Sequence, residues 1–370
     1  MVKKKNKLRI LQLIYDHPDN PWCGGGGAGR AWAINNILSK KHDITVCCGG
    51  FPGARRKDEP YDIRFLGRSK HYIVSRLKFI LGCLKINIES YDLVVEEFSY
   101  YAPIFLRSSR RPLVTVLQGQ HGLKALRYRG IYGLVSLFSE YITLRTRRSV
   151  IIVSEHLRSI THPKALVVVI GQGAEVPERL PENSEEYVLY LGRLDIWHKG
   201  LDILIEAWSK ISSEDKKFPL VIAGGGDVPR IKRLIEKYDA EKISLLGRLT
   251  YNEAMDAIRR SAFVCLPSRM EGSPLVLYEA YSLGKPVIGT SIPALKNLIP
   301  HGVAGLQVPP DDPEALSKAI ISLLNDKLRR RILAEGAEKI GKGYRWDIIA
   351  EKQERFYYDV IKRWQENRGE

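Results

Sequence analysis

In the second half of this 370-residue chain, two cations and two carboxylates stand at spacings that suit chemistry on an anionic ligand. Leu189-Tyr-Leu-Gly-Arg-Leu-Asp-Ile-Trp-His-Lys-Gly200 reads as a strand end running into a helix start. Arg193 and Lys199 therefore leave the strand at its carboxyl edge, where open α/β sheets bind ligands, and two cations there suit a diphosphate. Further on, Glu271 and Glu279 stand eight apart, the first on a glycine-containing loop and the second inside the helix that follows. That helix begins near Pro274, whose missing N–H costs nothing in a first turn. The N–H groups around Leu275 and Val276 then lack intrahelical acceptors and form a second place for an anion.

Residues 24–29, Gly-Gly-Gly-Gly-Ala-Gly, satisfy the spacing G-x-G-x-x-G, and Arg30 opens a helical stretch. A dinucleotide fingerprint needs the first glycine directly after the strand and a carboxylate at the end of the second strand. Here Asp16 to Cys23 intervene, and the second strand ends Cys47-Cys48-Gly49-Gly50. A nicotinamide cofactor is therefore not expected. The bare N–H groups around Gly25 and Gly26 remain suited to a phosphate.

These residues need elements to hold them. Short β-branched runs alternate with amphipathic stretches, the pattern of βαβ units in a parallel sheet. Strands are expected at 8–15, 44–48, 92–96, 113–117, 150–153 and 166–170, and the alternation restarts at 187–191, 219–223, 243–246, 263–266, 286–289 and 305–308. Helices at 200–212, 228–238, 252–260 and 313–325 separate the second set. This predicts two Rossmann-like α/β domains, 1–180 and 181–345, joined by the polar, proline-bearing stretch 175–186. A final helix over 346–370, with Ile349, Phe356, Tyr357, Val360 and Trp364 at near-helical spacing, is long enough to cross back to the first domain. The length alone argues for two cores.

The net charge of +16 is unevenly placed: residues 1–178 hold 28 basic and 14 acidic side chains, whereas residues 179–370 hold 30 and 28. An anionic partner of the first half is implied, or else a solvated basic face. Nucleic acid is disfavoured, because no recognition-helix, zinc-finger or RRM signature accompanies the charge. Hydrophobic residues at 44% and charged residues at 27% are those of a globular chain. The longest near-apolar window, Ile131 to Leu144, contains Glu140 and is too short to span a bilayer. Five cysteines without a CxxC pair suggest reduced thiols and a cytoplasmic protein. His17, His156, His162 and His198 lack ligand spacing, so no metal is expected.

Taken together, the motifs resemble the retaining glycosyltransferases of the GT-B fold, group 4. The resemblance rests on the glycine loop 24–29, Val153-Ser-Glu-His-Leu157, Gly192-Arg-Leu-Asp-Ile-Trp-His-Lys-Gly200, Gly224-Gly-Gly226, Leu246-Gly-Arg248, the Glu271/Glu279 pair, Gly284-Lys-Pro-Val287 and Val308-Pro-Pro-Asp311. It implies two Rossmann-like domains facing across a cleft and transfer of a hexose from a UDP-, GDP- or ADP-sugar. No cofactor or metal is implied. Arg193 and Lys199 would neutralise the leaving diphosphate, Glu279 would accept the ribose hydroxyls, and Glu271 would bond the donor sugar. N–H groups of Ser273, Pro274's successor Leu275, and Val276 would hold sugar and phosphate, and Gly224 and Gly225 would line the nucleotide.

One departure stands out. Where such enzymes carry a histidine after the fourth N-terminal strand, this chain has Gln118-Gly119, with His121-Gly122 three residues later. Gln118, or else His121, would take that role, and Gln118 is the expected one. The first domain would bind a glycan or lipid-linked acceptor. The apolar stretch Tyr72–Ile86 with Arg76, Lys78 and Lys85, and the cluster Arg107, Arg110 and Arg111, would seat it peripherally on the inner face of an anionic membrane. An ordinary core helix is the other reading of that stretch. The competing functions are a sugar-nucleotide epimerase, for which Glu96-Glu97 is the paired carboxylate candidate, and a nucleotide-sugar-binding partner subunit.

Overall fold

A computed structural model describes residues 7–23, 25–101, 110–119, 122, 130, 132–178 and 185–369. The chain divides into two units, the first formed by Met1–Gly171 with Trp346–Glu370, the second by Gln172–Arg345. The division falls earlier than residue 180. Ala174 N–H, just before the expected linker, already donates to Tyr344 O at 2.8 Å within the second unit.

The first unit is a seven-stranded sheet in the order β3-β2-β1-β4-β5-β6-β7, parallel throughout. Its strands are β1 (Arg9–Ile14), β2 (Asp43–Gly49), β3 (Asp62–Leu66), β4 (Leu93–Glu97), β5 (Leu113–Leu117), β6 (Ser149–Ile152) and β7 (Leu166–Val169). Side chains of one strand alternate between the two faces. Ile10, Ile14, Val46, Val95, Val114 and Val116 pack on one side against the Gly26–Leu38 helix and the C-terminal Trp346–Glu366 helix. That last helix buries Ile349, Phe356, Tyr357 and Val360, so the end of the chain completes the first core. On the other side Leu11, Leu13, Val94 and Leu113 meet Phe79 and Cys83 of the Tyr72–Leu84 helix.

β3 has no counterpart in the sequence reading. It is an edge strand, DIRFL, whose Asp62 and Arg64 pair with each other at 2.7 Å, so it lacks an apolar run. The Tyr72–Leu84 helix also corrects an expectation. Lys78 and Lys85 are exposed, but Arg76 is buried on the inner face and does not belong to a basic surface stripe.

The second unit is a six-stranded parallel sheet, β10-β9-β8-β11-β12-β13. Its strands are β8 (Tyr187–Leu191), β9 (Leu220–Ala223), β10 (Ile243–Gly247), β11 (Ser261–Leu266), β12 (Val287–Thr290) and β13 (Gly305–Val308). Helices Leu201–Ser209, Val228–Lys237 and Pro313–Asn325 cover one face, while Tyr251–Arg260 and Leu275–Ser282 cover the other. In both sheets the strand order reverses once, at β1/β4 and at β8/β11. The crevice outside the carboxyl ends at such a reversal is where ligands bind in this architecture.

Candidate active site

Beyond β8 the backbone stays zipped to its neighbour: Gly192 N–H donates to Ala223 O at 3.0 Å and Leu194 N–H to Gly225 O at 2.9 Å. Gly224, at φ +147°, makes this approach possible, since a Cβ there would stand 1.7 Å from Gly192 O. Arg193 projects from this edge and is exposed, with its carbonyl held by Tyr190 Oη at 2.7 Å. Asp195 then caps the short Ile196–Lys199 helix by accepting His198 N–H at 3.1 Å. Gly200, at φ +64°, ends that helix, and a Cβ on it would meet Pro267 O at 2.0 Å. The close packing at this point brings Lys199 to the loop that follows β11.

There Lys199 Nζ donates to Glu271 Oε1 at 2.7 Å, and Ser268 Oγ donates to the same oxygen at 2.7 Å. The Glu271 side chain is only 7% exposed and that of Lys199 17%. The two residues expected to contact different parts of a ligand are thus partners of each other. An ammonium has three donors, so Lys199 keeps others for a ligand oxygen. The loop is fixed by a residue that no motif marks. Arg269 forks onto Asp202 at 2.7 and 2.9 Å, donates to Trp197 O at 2.9 Å, and pairs through Nε with Asp311. Its carboxylate partners lie 67 and 42 residues away, and no local spacing signals them. Asp312, by contrast, caps the Pro313–Asn325 helix by accepting Ala315 N–H at 2.8 Å, as its place before a proline suggests.

Pro274 is the N-cap of the Leu275–Ser282 helix and is buried, and Ser273 Oγ bonds Tyr278 Oη at 2.7 Å. The N–H groups of Leu275 and Val276 open the helix without intrahelical acceptors. One turn on, burial pushes the Glu279 carboxyl up to about 7. A Cβ on Gly225, two residues past β9, would stand 3.8 Å from that of Arg248.

In the first unit, Gly25 is the N-cap of the Gly26–Leu38 helix and supplies no side chain of its own, so the helix opens with bare N–H groups. Gln118, just past β5, lies against this turn: a Cβ on Gly27 would stand 3.4 Å from its Cγ. Gln118 Nε2 donates to Glu97 Oε2 at 3.0 Å, and Gln12 Nε2 donates to Oε1 at 3.1 Å. Burial raises the Glu97 carboxyl above its usual range, opposed by the nearby Arg30 and by these two amides. His121 lies outside the described residues. Glu96 faces the other side of β4, where Thr115 Oγ1 donates at 3.1 Å and Arg147 Nε at 2.8 Å. Glu96 and Glu97 therefore do not form a carboxylate pair, which removes the feature that an epimerase reading needs.

Residues 172–340 match the family model described as Glycosyl transferases group 1. An uncharacterized glycosyltransferase of Methanocaldococcus jannaschii is 27% identical over 294 residues, 78% of this chain and 80% of that one. A phosphatidyl-myo-inositol mannosyltransferase of Mycobacterium leprae is 33% identical over 175 residues, a match that spans less than half of either chain, 47% and 46%. Among solved structures, sucrose-phosphate synthase from Thermosynechococcus elongatus superposes with a TM-score of 0.79 at 19% identity, covering 96% of this chain and 99% of that one. Anabaena HepE in complex with UDP and glucose gives 0.72 at 18%, covering 94% and 98%. At such identities the likeness is one of fold, and that fold is GT-B.

Proposed function

From the match of residues 172–340 to Glycosyl transferases group 1 we propose that the chain transfers a hexose from a nucleotide-sugar donor, with retention and without a metal, to a glycan or lipid-linked acceptor. The observation that carries the proposal is the Lys199–Glu271 pair, held at 2.7 Å on the carboxyl edge of the second sheet, with the Leu275–Ser282 helix beginning four residues after Glu271. A cation, a carboxylate and free N–H groups on adjacent loops match the three parts of a sugar diphosphate. Lys199 and Arg193 stabilise the charge that grows on the leaving diphosphate. The N–H groups of Leu275 and Val276 hold phosphate oxygens, Glu271 accepts hydroxyls of the sugar, and Glu279 accepts those of the ribose.

On this reading the bond from the sugar's anomeric carbon to the donor phosphate breaks as the bond to the acceptor oxygen forms on the same face. The acceptor's proton passes to the departing phosphate oxygen, so no protein nucleophile is needed. The two cations supply the charge that a divalent ion would otherwise supply. Within the first unit, the bare N–H groups at Gly25 and Gly26 suit a phosphate, and Gln118 stands in the place of a histidine. The test is nucleotide release from a panel of UDP-, GDP- and ADP-sugars in excess chelator. One active donor is expected, and activity that disappears with chelator and returns with Mg²⁺ would refute metal independence.

A membrane-proximal acceptor is supported by the outer face of the first unit. The Tyr72–Leu84 helix turns Ile73, Leu77, Leu81 and Leu84 to solvent, with Leu77 58% exposed. The Tyr132–Thr146 helix exposes Leu134, Val135, Phe138 and Tyr141 while burying Ser136, Ser139, Glu140 and Thr143. Both helices lie on one side of the sheet: Phe79 shares a core cluster with Leu113, and Leu144 packs against the cluster that holds Leu117, four residues along β5 on the same face. Among the described residues no helix is long and apolar enough to cross a membrane. Peripheral seating at the cytoplasmic face is the form of association proposed.

A further inference from the structure

Arg76, expected on the surface, is instead enclosed at the carboxyl edge of the first sheet. Its guanidinium carbon lies 4.3 Å from the ring centre of Tyr15, 4.5 Å from that of Tyr72 and 5.7 Å from that of Tyr101. Tyr15 directly follows β1, and Tyr101 follows β4, so the cage sits at the reversal of strand order where this architecture binds ligands. Nη1 donates to Ser99 Oγ at 3.3 Å. Nε is buried and has no hydrogen-bond partner among the described residues. The residue as a whole is 7% exposed.

A buried cation without a counter-charge is costly. Arg76 forms no ion pair with any carboxylate among the described residues. Asp16, two residues past β1, is close enough for the charge of Arg76 to act on it, but its own burial favours the protonated form, and its hydrogen bond goes to Cys23, whose thiol is also hydrogen-bonded to Arg76. Three tyrosine faces stabilise the guanidinium without neutralising it. A planar fork with an unspent donor, surrounded by aromatic rings and lying in the ligand crevice, suits an oxyanion on a molecule whose sugar rings can stack on those aromatics. Trp22, edge-on to Tyr72 at 5.6 Å, extends the aromatic surface.

We propose that Arg76 anchors an anionic group, a phosphate or a carboxylate, carried by the acceptor. The inference rests on the transferase reading, and it narrows the acceptor class from any glycan or lipid-linked glycan to one that is negatively charged next to the hydroxyl it presents. It also gives part of the basic excess of the first half a specific use.

The test uses the full chain with the nucleoside diphosphate of the donor found active in the panel present in excess, so that phosphate-bearing probes do not report on the donor site. Glycerol 3-phosphate, methyl glucuronide and neutral methyl glucoside are titrated by calorimetry. At least one of the two anionic probes is expected to bind at least tenfold more tightly than the neutral one, and the stronger of the two identifies phosphate or carboxylate. Arg76→Gln should lose that tenfold preference, while Arg76→Lys, which keeps charge but not the fork, should lose part of it. Equal affinity for the neutral probe, no binding of any probe at 10 mM, or an undiminished preference in folded Arg76→Gln would overturn the proposal. If Arg76→Gln does not fold, the ratio of anionic to neutral affinity in the unaltered protein still decides. A separate titration of the unaltered protein with UDP, GDP and ADP reports on the donor reading, so failure of either inference is visible without the other.

Discussion

Lys199 shows how a residue can be legible in type and misread in its partner. Its place before Gly200 marks it as a cation at a strand edge, but its bond to Glu271 is made across 72 residues of sequence. Removing it should have two effects, loss of charge at the diphosphate and an unpaired, largely buried Glu271. Lys199→Ala is expected to lower kcat by about a hundredfold or more, the scale of one electrostatic donor. Steady-state nucleotide release checks this, and turnover within a few-fold of the unaltered enzyme would remove Lys199 from the mechanism. Glu279 makes a pH-dependent prediction. Its carboxyl rises from 4.5 to about 7 because it is buried, so the folded state holds that proton more tightly than the unfolded state does. Stability from this group is fully present below pH 4.5 and is lost as pH climbs to about 7, by on the order of 2–3 kcal/mol. Glu279→Gln should therefore match the unaltered protein in thermal stability near pH 4.5 and exceed it at pH 8, while binding the donor's nucleoside diphosphate more weakly. A stability difference independent of pH would contradict the assignment. Glu96 and Glu97 show the opposite limit of sequence reading. They are adjacent in the chain, yet neighbours on a strand point to opposite faces, and each is held by a different set of donors.

At the scale of elements, the strands were readable where both faces of the sheet are covered, because burial on both sides demands unbroken apolar runs such as Leu113–Leu117. β3 was not readable, since an edge strand can alternate Asp62 and Arg64 with apolar residues and still pair. Arg269 was not readable either, because its fork joins segments brought together only by the fold. The glycines of the β8 and β9 loops lie between these cases: Gly224-Gly-Gly226 is visible as a turn, but which glycine is indispensable depends on the closest approach. Gly224 has φ +147° and a Cβ there would clash with Gly192 O, whereas Gly225 has nothing nearer than 3.8 Å. Gly224→Ala is expected to cost at least about 2 kcal/mol. For a unit of this size that lowers the melting temperature by about 4–8 °C. Gly225→Ala should stay within about 1 kcal/mol of the unaltered protein. Calorimetric melting of the two variants compares them directly, and equal losses would show that the loop relaxes freely around position 224.

At the scale of the whole molecule, charge and apolar surface point the same way. The first 178 residues carry 28 basic and 14 acidic side chains, and the Tyr72–Leu84 and Tyr132–Thr146 helices turn apolar stripes outward from one face of the first sheet. Lys78 and Lys85 edge the first stripe, and Arg145 lies over Tyr141 at 4.2 Å in the second. Each basic side chain at an anionic bilayer adds roughly 1 kcal/mol, and each large apolar side chain taken out of water about 1.5–3 kcal/mol. Neither term alone gives firm attachment at physiological salt, where exposed charges are screened beyond about 8 Å. Together they should. Co-sedimentation with liposomes is therefore expected to rise with the fraction of anionic lipid and to fall, without vanishing, as salt increases. Leu77→Glu combined with Phe138→Glu should abolish the salt-resistant part, because it places charge at the centre of both stripes, and circular dichroism should show the fold retained, since both side chains point to solvent. Equal binding to neutral and anionic liposomes would leave the basic excess without a role at the membrane. Undiminished binding by the double variant would assign attachment to charge alone, and no binding at low salt would make the outer face of these helices a surface for something other than lipid.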